Sequence, residues 1–217
     1  MLLGRTLASL GGVPVTHGTL LSLLKEYSSP NDKILRLIAE GWLIPIKRGL
    51  YAVAPERTAV PISMPLVANL LYGPSYVSLD YALHYYGLIP ERVVEVTSMT
   101  TRRGKMYDLS IGRFAYTHSP QSLYPVGIER IANADKSCFL MASPEKALCD
   151  KLLFTRKLNI VSAKGLAELL FDDLRIDEEF LARFDEKVIE GCMQSGLKVK
   201  MLQALLRLVN SMKRDMP

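Results

Sequence analysis

Polar and basic side chains near the N-terminus have the types and spacing of a DNA-binding surface. Asn31, Lys33 and Arg36 fall mainly on the outer side of a predicted helix, and Lys47 and Arg48 follow in a short basic turn. Arginine can hold a guanine edge, and asparagine an adenine edge, through two hydrogen bonds each. A basic turn suits phosphates or the minor groove. The pattern predicts that the helix lies in the major groove of double-stranded DNA while the turn contacts the backbone.

Three further positions complete this surface. Thr16 is a good N-cap for the preceding helix, and with His17 it would offer a hydroxyl and backbone N–H groups to a phosphate. Tyr51 lies just beyond the basic turn. The candidate DNA contacts are therefore Thr16, His17, Asn31, Lys33, Arg36, Lys47, Arg48 and Tyr51.

The elements around these residues predict a winged helix-turn-helix. Apolar residues at helical spacing predict two helices, Leu2–Leu10 and Gly18–Tyr27. A third helix begins at Pro30, after Ser29 as N-cap, and ends before Gly41. Two strands joined by the basic turn would form the wing, at Leu43–Ile46 and Leu50–Val53. Four apolar residues of the third helix are expected to face inward: Ile34, Leu35, Leu37 and Ile38.

The charge of this head leaves a second interpretation open. Residues 1–60 carry seven basic and four acidic residues, a net charge of +3, which is low for tight binding through phosphates. A small helical domain that docks on a protein, with its charges solvated, fits the same pattern. The whole chain, with a net charge of +5 and a pI near 9.1, permits a nucleic-acid partner without requiring one.

The rest of the chain predicts a mixed α/β body. We expect a head over residues 1–60, a linker at Pro55–Pro61, and a body over 61–217, with strands and helices in 61–155 and helices alone in 156–217. The expected body helices are Met64–Leu71, Leu79–Tyr86, Glu145–Phe154, Ala163–Leu170, Asp177–Gly191 and Leu197–Lys213. The expected strands are Tyr76–Ser78, Arg92–Met99, Met106–Ile111, Arg113–Thr117, Val126–Ile131 and Cys138–Ala142, the last two around a turn at Asn133–Ser137. The fold class is therefore α+β: an N-terminal winged helix-turn-helix, a mixed α/β body and a helical C-terminal tail.

The tail has an uneven distribution of charge. Residues 171–190 hold eight acidic and three basic residues, whereas residues 198–214 hold five basic residues and no acid. Such stretches are usually solvated helix faces. The alternative is a second contact to DNA or protein, formed by Lys198, Lys200, Arg207, Lys213 and Arg214.

Other kinds of chemistry find little support in the sequence. The three histidines and three cysteines lack metal-ligand spacing, so no metal site is predicted. There is no phosphate-binding glycine loop and no nucleophile elbow, so we predict no cofactor and no catalytic residue. Glu145 and Asp150 share a helix, but five residues separate them by about 140° around its axis. They therefore do not converge as a nuclease pair would; we expect Glu145 to stabilise the helix start and Asp150 to make a structural hydrogen bond.

The cysteine content and the N-terminal segment bear on the compartment. Three widely separated cysteines do not make a disulfide framework and fit a reducing compartment. The apolar run at residues 1–12 is interrupted by Arg5, is too short to span a membrane, and matches a signal peptide poorly. We therefore expect a cytoplasmic protein with no membrane partner.

Three short motifs occur in order along the chain. The first is R-G-x-Y in the wing, at Arg48, Gly49 and Tyr51. The second is Y-[IV]-S-x-x-x-A-L-x-x-x-G-L, and the third is A-x-P-E-K-A-L-x-D. They fall on Tyr76, Ser78, Ala82, Leu83, Gly87 and Leu88, and on Ala142, Pro144, Glu145, Lys146, Ala147, Leu148 and Asp150.

Together, these three motifs resemble the AbiEi family of antitoxins and transcriptional regulators from type IV toxin–antitoxin and abortive-infection systems. This resemblance spans roughly residues 14–150 and implies a function. A member of that family would repress its own operon by binding the promoter, and its body would counter a nucleotidyltransferase-like toxin without needing a stable complex with it. A pseudo-palindromic operator would require two heads, so a dimer or cooperative binding on DNA is expected. Two alternatives remain: a stand-alone regulator whose body senses a ligand or partner, and a metal-dependent nuclease.

Overall fold

A computed structural model describes residues 2–132 and 137–215 of the chain. The chain forms two compact units. Unit 1 comprises Met1–Gly73 with two short segments, Leu109–Ile111 and Ala132–Phe139, and unit 2 comprises the rest. Within the described residues, every helix is too short or too polar to cross a lipid bilayer.

Unit 1 contains a three-stranded antiparallel sheet and a set of short helices. Its strands lie in the order β1-β3-β2, so the proline-bearing strand β2 is at an edge, as a strand proline requires. The sequence did not predict β1. Apart from β1, the first elements are three helices followed by two strands, in the order that the sequence predicts. The elements are α1 (Leu2–Ala8), β1 (Val15–Thr16), α2 (His17–Leu23), α3 (Pro30–Ala39), β2 (Leu43–Lys47), β3 (Leu50–Val53), α4 (Pro55–Thr58) and α5 (Met64–Leu71).

The helix starts of unit 1 follow local capping chemistry, with one departure. The Thr16 hydroxyl accepts the N–H of Thr19 at 3.2 Å, which confirms its role as the N-cap of α2. Pro30 occupies the first turn of α3 as expected. Ser29, however, does not cap α3 with its side chain; its hydroxyl donates to the Asp32 carboxylate at 2.5 Å.

The core of unit 1 forms where α1, α2 and α3 pack on the small sheet. On α3, Ile34 and Leu37 are buried and Ile38 packs against the same core. Leu35 was expected to face inward but is 65% exposed. Successive helical residues are rotated by about 100°, so residues 34, 37 and 38 share one face and residue 35 turns away from it.

The segment predicted as a linker is part of unit 1, so the expected boundary at residue 60 is wrong. Pro55 begins the short helix α4 instead of ending a domain, because proline is well suited to a first helical position. The backbone N–H of Ser63 donates to the Gly12 carbonyl at 2.9 Å and anchors the chain before α5. The first unit therefore continues to Gly73, and α5 belongs to it.

Unit 2 is built on a six-stranded mixed sheet in the order β6-β7-β5-β4-β9-β8. Strand β4 pairs antiparallel with β5 and parallel with β9, and β5 runs parallel to β7. All three residues of β4 are buried, so the strand carries no polar-outward alternation. The sheet strands are β4 (Ser75–Val77), β5 (Val96–Thr100), β6 (Lys105–Leu109), β7 (Gly112–His118), β8 (Ile128–Ala132) and β9 (Cys138–Ala142). The predicted turn at Asn133–Ser137 lies, except for its last residue, outside the described residues.

The helices after β4 confirm the predicted helical tail but are more divided than expected. The predicted helix Asp177–Gly191 is two helices, because Asp185 starts a new one by accepting the N–H of Lys187 at 2.9 Å. The predicted strand over residues 92–99 begins only at Val96. The helices are α6 (Leu79–Tyr85), α7 (Pro144–Phe154), α8 (Ala163–Ala167), a π-helical turn (Glu168–Asp173), α9 (Glu178–Ala182), α10 (Glu186–Met193) and α11 (Val199–Asp215).

Candidate nucleic-acid interface

Helix α3 presents an outer face that combines polar, basic and apolar groups. Asn31, Leu35 and Arg36 are exposed on this helix, with Asn31 and Arg36 about 140° apart around its axis on either side of Leu35, while Ile34 and Leu37 are buried in the core. This division follows the helical period, since the two buried residues are three apart and the exposed ones occupy the remaining arc. Asn31 and Arg36 are therefore exposed, as the sequence predicts, and so is Leu35, which the sequence placed inside.

Lys33 lies at the side of this face. It is half-buried, and its ammonium stands 5.8 Å from the centre of the Tyr27 ring, within cation–π range. Together with Ser28, Ser29, Tyr27 and Arg36 it lines a cleft of about 130 Å³. Lys33 is thus held beside Tyr27 at the wall of this cleft.

The two basic residues of the wing have different environments. The Lys47 ammonium donates to the carbonyls of Leu70 and Leu71, at 2.8 and 2.7 Å, and so binds the carboxyl end of α5. Arg48 is exposed at the turn, and Gly49 follows with φ +81°, a conformation that glycine adopts at little cost. The wing's outward positive charge is therefore centred on Arg48, with Lys47 held by a helix end.

The residues predicted at the start of α2 lie next to the wing turn. The Thr16 hydroxyl caps α2, and the backbone N–H of His17 donates to the Gly49 carbonyl at 2.9 Å. Tyr51 is half-buried against the core, with its ring 6.2 Å from that of His17. The Thr16 oxygen and the His17 N–H therefore already have partners in the protein. The His17 bond to Gly49 holds the wing turn against the start of α2.

The basic residues of the C-terminal tail also separate into two groups. The Lys198 ammonium donates to the carbonyls of Leu152 and Thr155, at 2.9 and 3.1 Å, and Lys213 pairs with Glu186 at 2.8 Å. The other three are exposed on α11. Their spacing of seven residues places them on one side of the helix, and we call them the basic stripe: Lys200, Arg207 and Arg214.

A buried polar network lies inside unit 2, where two of the sequence motifs meet. Lys146 and Asp150 of α7 form an ion pair at 3.0 Å with both side chains fully buried. The other Asp150 oxygen accepts from the hydroxyls of Tyr76 and Ser78, at 3.0 and 2.8 Å. The Lys146 ammonium also donates to the Leu123 carbonyl at 3.0 Å. Four motif residues far apart in sequence thus hold one another, and the expectation of a structural hydrogen bond at Asp150 is confirmed.

Burial sets the protonation of this network. Burial raises the pKa of the Asp150 carboxyl, and Lys146 is the chief influence that opposes this rise. Burial also raises the pKa of Tyr76, and the neighbouring Asp150 charge adds to that effect. The network is sealed from solvent, so it has no opening for a substrate.

The acids considered for nuclease chemistry do not converge. Glu145 accepts the backbone N–H of Asp185 at 3.0 Å and so holds the start of α10, whereas Asp150 points into the buried network. In the part of the chain that the structure describes, no three His, Cys, Asp or Glu side chains are grouped to hold a metal ion.

The chain matches no protein-family model, and no curated protein sequence matches it. Among solved structures, it resembles the crystal structure of the RV2827C protein from Mycobacterium tuberculosis, with a TM-score of 0.60 and 16% sequence identity. The likeness covers 97% of this chain and 75% of the other. At this identity it concerns the fold, and it agrees with the α+β class described above.

Proposed function

We propose that this protein is a sequence-specific DNA-binding repressor of its own operon. The observation that carries the proposal is the exposure of Asn31 and Arg36 on α3 together with Arg48 at the wing turn, all within unit 1. Asparagine and arginine are suited to adenine and guanine edges, and a wing arginine is suited to phosphates or the minor groove. The protein would act in the cytoplasm, where its promoter lies.

The residues of the interface would divide their work by position. Asn31 and Arg36 read bases from the major groove, and Lys33 contacts the groove's edge from beside them. Arg48 meets the DNA backbone at the wing. Lys47 binds the end of α5, so its contribution is to hold the wing.

The low charge of the head favours binding by more than one surface. The head has a net charge of only +3 over residues 1–60, and each neutralised phosphate adds to the affinity. Two heads on a pseudo-palindromic operator, as a dimer or a cooperative pair, would double the contacts. The basic stripe on α11 is a further source of positive charge.

The test of DNA binding is a gel shift on the protein's own promoter. Arg36→Ala should weaken binding by about 1–3 kcal/mol and relax the preference at one base position. Arg48→Ala should weaken binding to all sequences and lower the salt dependence by about one unit. Lys25→Ala removes an exposed charge of unit 1 that is part of neither α3 nor the wing, and it serves as the control. Binding of both arginine variants at wild-type strength would refute this interface.

We further propose that the protein is an antitoxin against a nucleotidyltransferase-like toxin, acting without a stable complex. The support is the resemblance of its motifs to the AbiEi family. The residues of two of those motifs, Tyr76 and Ser78 with Lys146 and Asp150, also hold the body together. If a nucleotidyltransferase gene adjoins this one, the test is to express both genes together in cells and to measure whether the protein restores growth that the toxin inhibits.

In that test, a full-length Arg36→Ala/Arg48→Ala variant should lose promoter repression and still protect cells from the toxin. This outcome is expected because the substitutions leave unit 2 intact. If protection disappears together with repression, while the variant remains folded and equally abundant, the proposed division between the units is wrong.

A further inference from the structure

Leu35 is an apolar side chain in a place where folding does not require one. It is 65% exposed on α3, whereas the core of unit 1 takes Ile34, Leu37 and Ile38 from the same helix. A single exposed leucine is ordinary on a protein surface. Its position is what distinguishes it, because it lies in the middle of the proposed DNA-reading face.

The neighbours of Leu35 define what could cover it. Asn31 is one turn before it and Ala39 one turn after, so the three form a row along the helix with about 5–6 Å between successive Cβ atoms. Asp32, three residues before Leu35, is an exposed acid whose carboxylate accepts a hydrogen bond from Ser29, and the exposed Arg36 lies about 100° further around the helix. Leu35 thus lies between an amide and an arginine, groups suited to the hydrogen-bonding edges of bases.

The major groove of DNA presents one apolar group, the C5 methyl of thymine. Base pairs are stacked about 3.4 Å apart, so residues one helical turn apart reach neighbouring or next-neighbouring pairs. We infer that Leu35 is a specificity-determining residue that packs against a thymine methyl, within two base pairs of the adenine read by Asn31. The inference rests on the proposed function, and it adds preference for thymine over cytosine at one position of the operator.

The charge around Leu35 favours DNA over a protein as its occupant. Arg36 follows Leu35 along α3, the wing of the same unit exposes Arg48, and residues 1–60 carry a net charge of +3. DNA phosphates would pair with these arginines, whereas an apolar protein patch would have to desolvate them. A second copy of this chain would bring an equal net positive charge to the contact.

The experiment begins by selecting duplexes from a random DNA library with the full-length protein. Each thymine of the enriched duplex is then replaced, one at a time, by deoxyuridine, which lacks only the C5 methyl. Affinity is measured by fluorescence anisotropy. At one thymine, the wild-type protein should lose about fourfold in affinity, the worth of one buried methyl group.

The same series with Leu35→Ala identifies the residue responsible. The variant should bind the thymine duplex more weakly than wild type and should no longer distinguish thymine from uracil at that position. Val94→Ala is the matched control, because Val94 is an apolar residue of unit 2 with 71% of its surface exposed. It should retain the fourfold difference. Since Leu35 is absent from the core, its replacement should not unfold the protein.

The outcomes separate this inference from the function on which it rests. If no duplex is enriched, sequence-specific binding fails and the inference fails with it. If a duplex is enriched but every uracil substitution has the same effect on wild type and on Leu35→Ala, DNA binding stands and the thymine contact is refuted. A loss of self-association in Leu35→Ala, with an unchanged ratio of thymine to uracil binding, would also refute it and assign Leu35 to contact between copies.

Discussion

Replacing Lys146 with methionine should destabilise the protein strongly. The ammonium is fully buried, pairs with Asp150 at 3.0 Å and donates to the Leu123 carbonyl. Methionine fills a similar volume, so the main effect is to leave a carboxylate buried without its cation. Breaking a buried ion pair from one side costs about 3–5 kcal/mol.

The loss should depend on pH in a defined direction. Burial already raises the pKa of Asp150 above its ordinary value of 3.8, and removing Lys146 takes away the chief opposing influence. A folded-state pKa above the unfolded value means that the folded protein binds the proton more tightly. The resulting stability is fully present below the unfolded pKa and is lost as pH rises through the folded pKa. The deficit of Lys146→Met should therefore be largest at neutral pH and shrink as the solution is acidified toward the raised pKa.

Urea unfolding of the full chain, followed by circular dichroism at neutral and mildly acidic pH, measures both effects. Lys151→Met is the matched control, because Lys151 is on the same helix but its ion pair with Asp80 is partly exposed, at 25% and 36%. Such a pair is worth at most about 1 kcal/mol. The double variant Lys146→Met/Asp150→Asn should recover most of the loss, since asparagine is neutral and still accepts from Tyr76 or Ser78. If Lys146→Met lowers the free energy of unfolding only as much as the control does, and acidification does not change that loss, the buried ion pair does not stabilise the fold.

Further substitutions test the two basic residues of the wing, two glycines of unit 1 and the basic stripe. Lys47→Met should lower the free energy of unfolding in urea by about 1–2 kcal/mol, because its hydrogen bonds to the end of α5 are lost, and should change the salt dependence of DNA binding little. Arg48→Ala should lower the salt dependence of DNA binding and leave the free energy of unfolding nearly unchanged. Gly12→Ala should lower the free energy of unfolding by more than about 2 kcal/mol, because the added Cβ would collide with the Pro61 carbonyl. Gly18→Ala should raise it by about 0.5–1 kcal/mol, because the nearest atom to the added Cβ is 3.9 Å away. Urea unfolding measures both changes. Glutamine at all three positions of the basic stripe should lower the salt dependence by about one to three units, and an unchanged slope would mean that the stripe is only a solvated face.

Local signals in the sequence predicted much of the fold. The bounds of α5 and β9 were predicted to the residue, and the predicted start of α7 at Glu145 is one residue from the observed Pro144. Strand β1 was missed because two residues are too few to show any period; it is defined only by its partner, with Val15 opposite Tyr51. The pairing of β4 with β9, distant in sequence, also had no local signal.

The candidate site was predicted less completely, for two physical reasons. The inward prediction for Leu35 counted four apolar residues of α3 as one face, although a helix can bury only part of its circumference. Lys47 and Lys198 were assigned to outward contacts because composition shows a charge but not its partner. Each instead binds the carbonyls at the end of a helix far along the chain. Exposed residues with no tertiary role, such as Arg36, were the ones whose position the pattern predicted well.

The buried network also has a consequence for the order in which unit 2 folds. Asp150 is separated from Ser78 and Tyr76 by 72 and 74 residues, so the charged pair gains its hydrogen bonds only after a long loop has closed. Until then, sealing Lys146 and Asp150 from water is unfavourable. During synthesis, the side chains of β4 therefore lack their partners on α7 until the ribosome has released that helix. Between the release of β4 and the release of α7, the growing chain is exposed to proteolysis and aggregation.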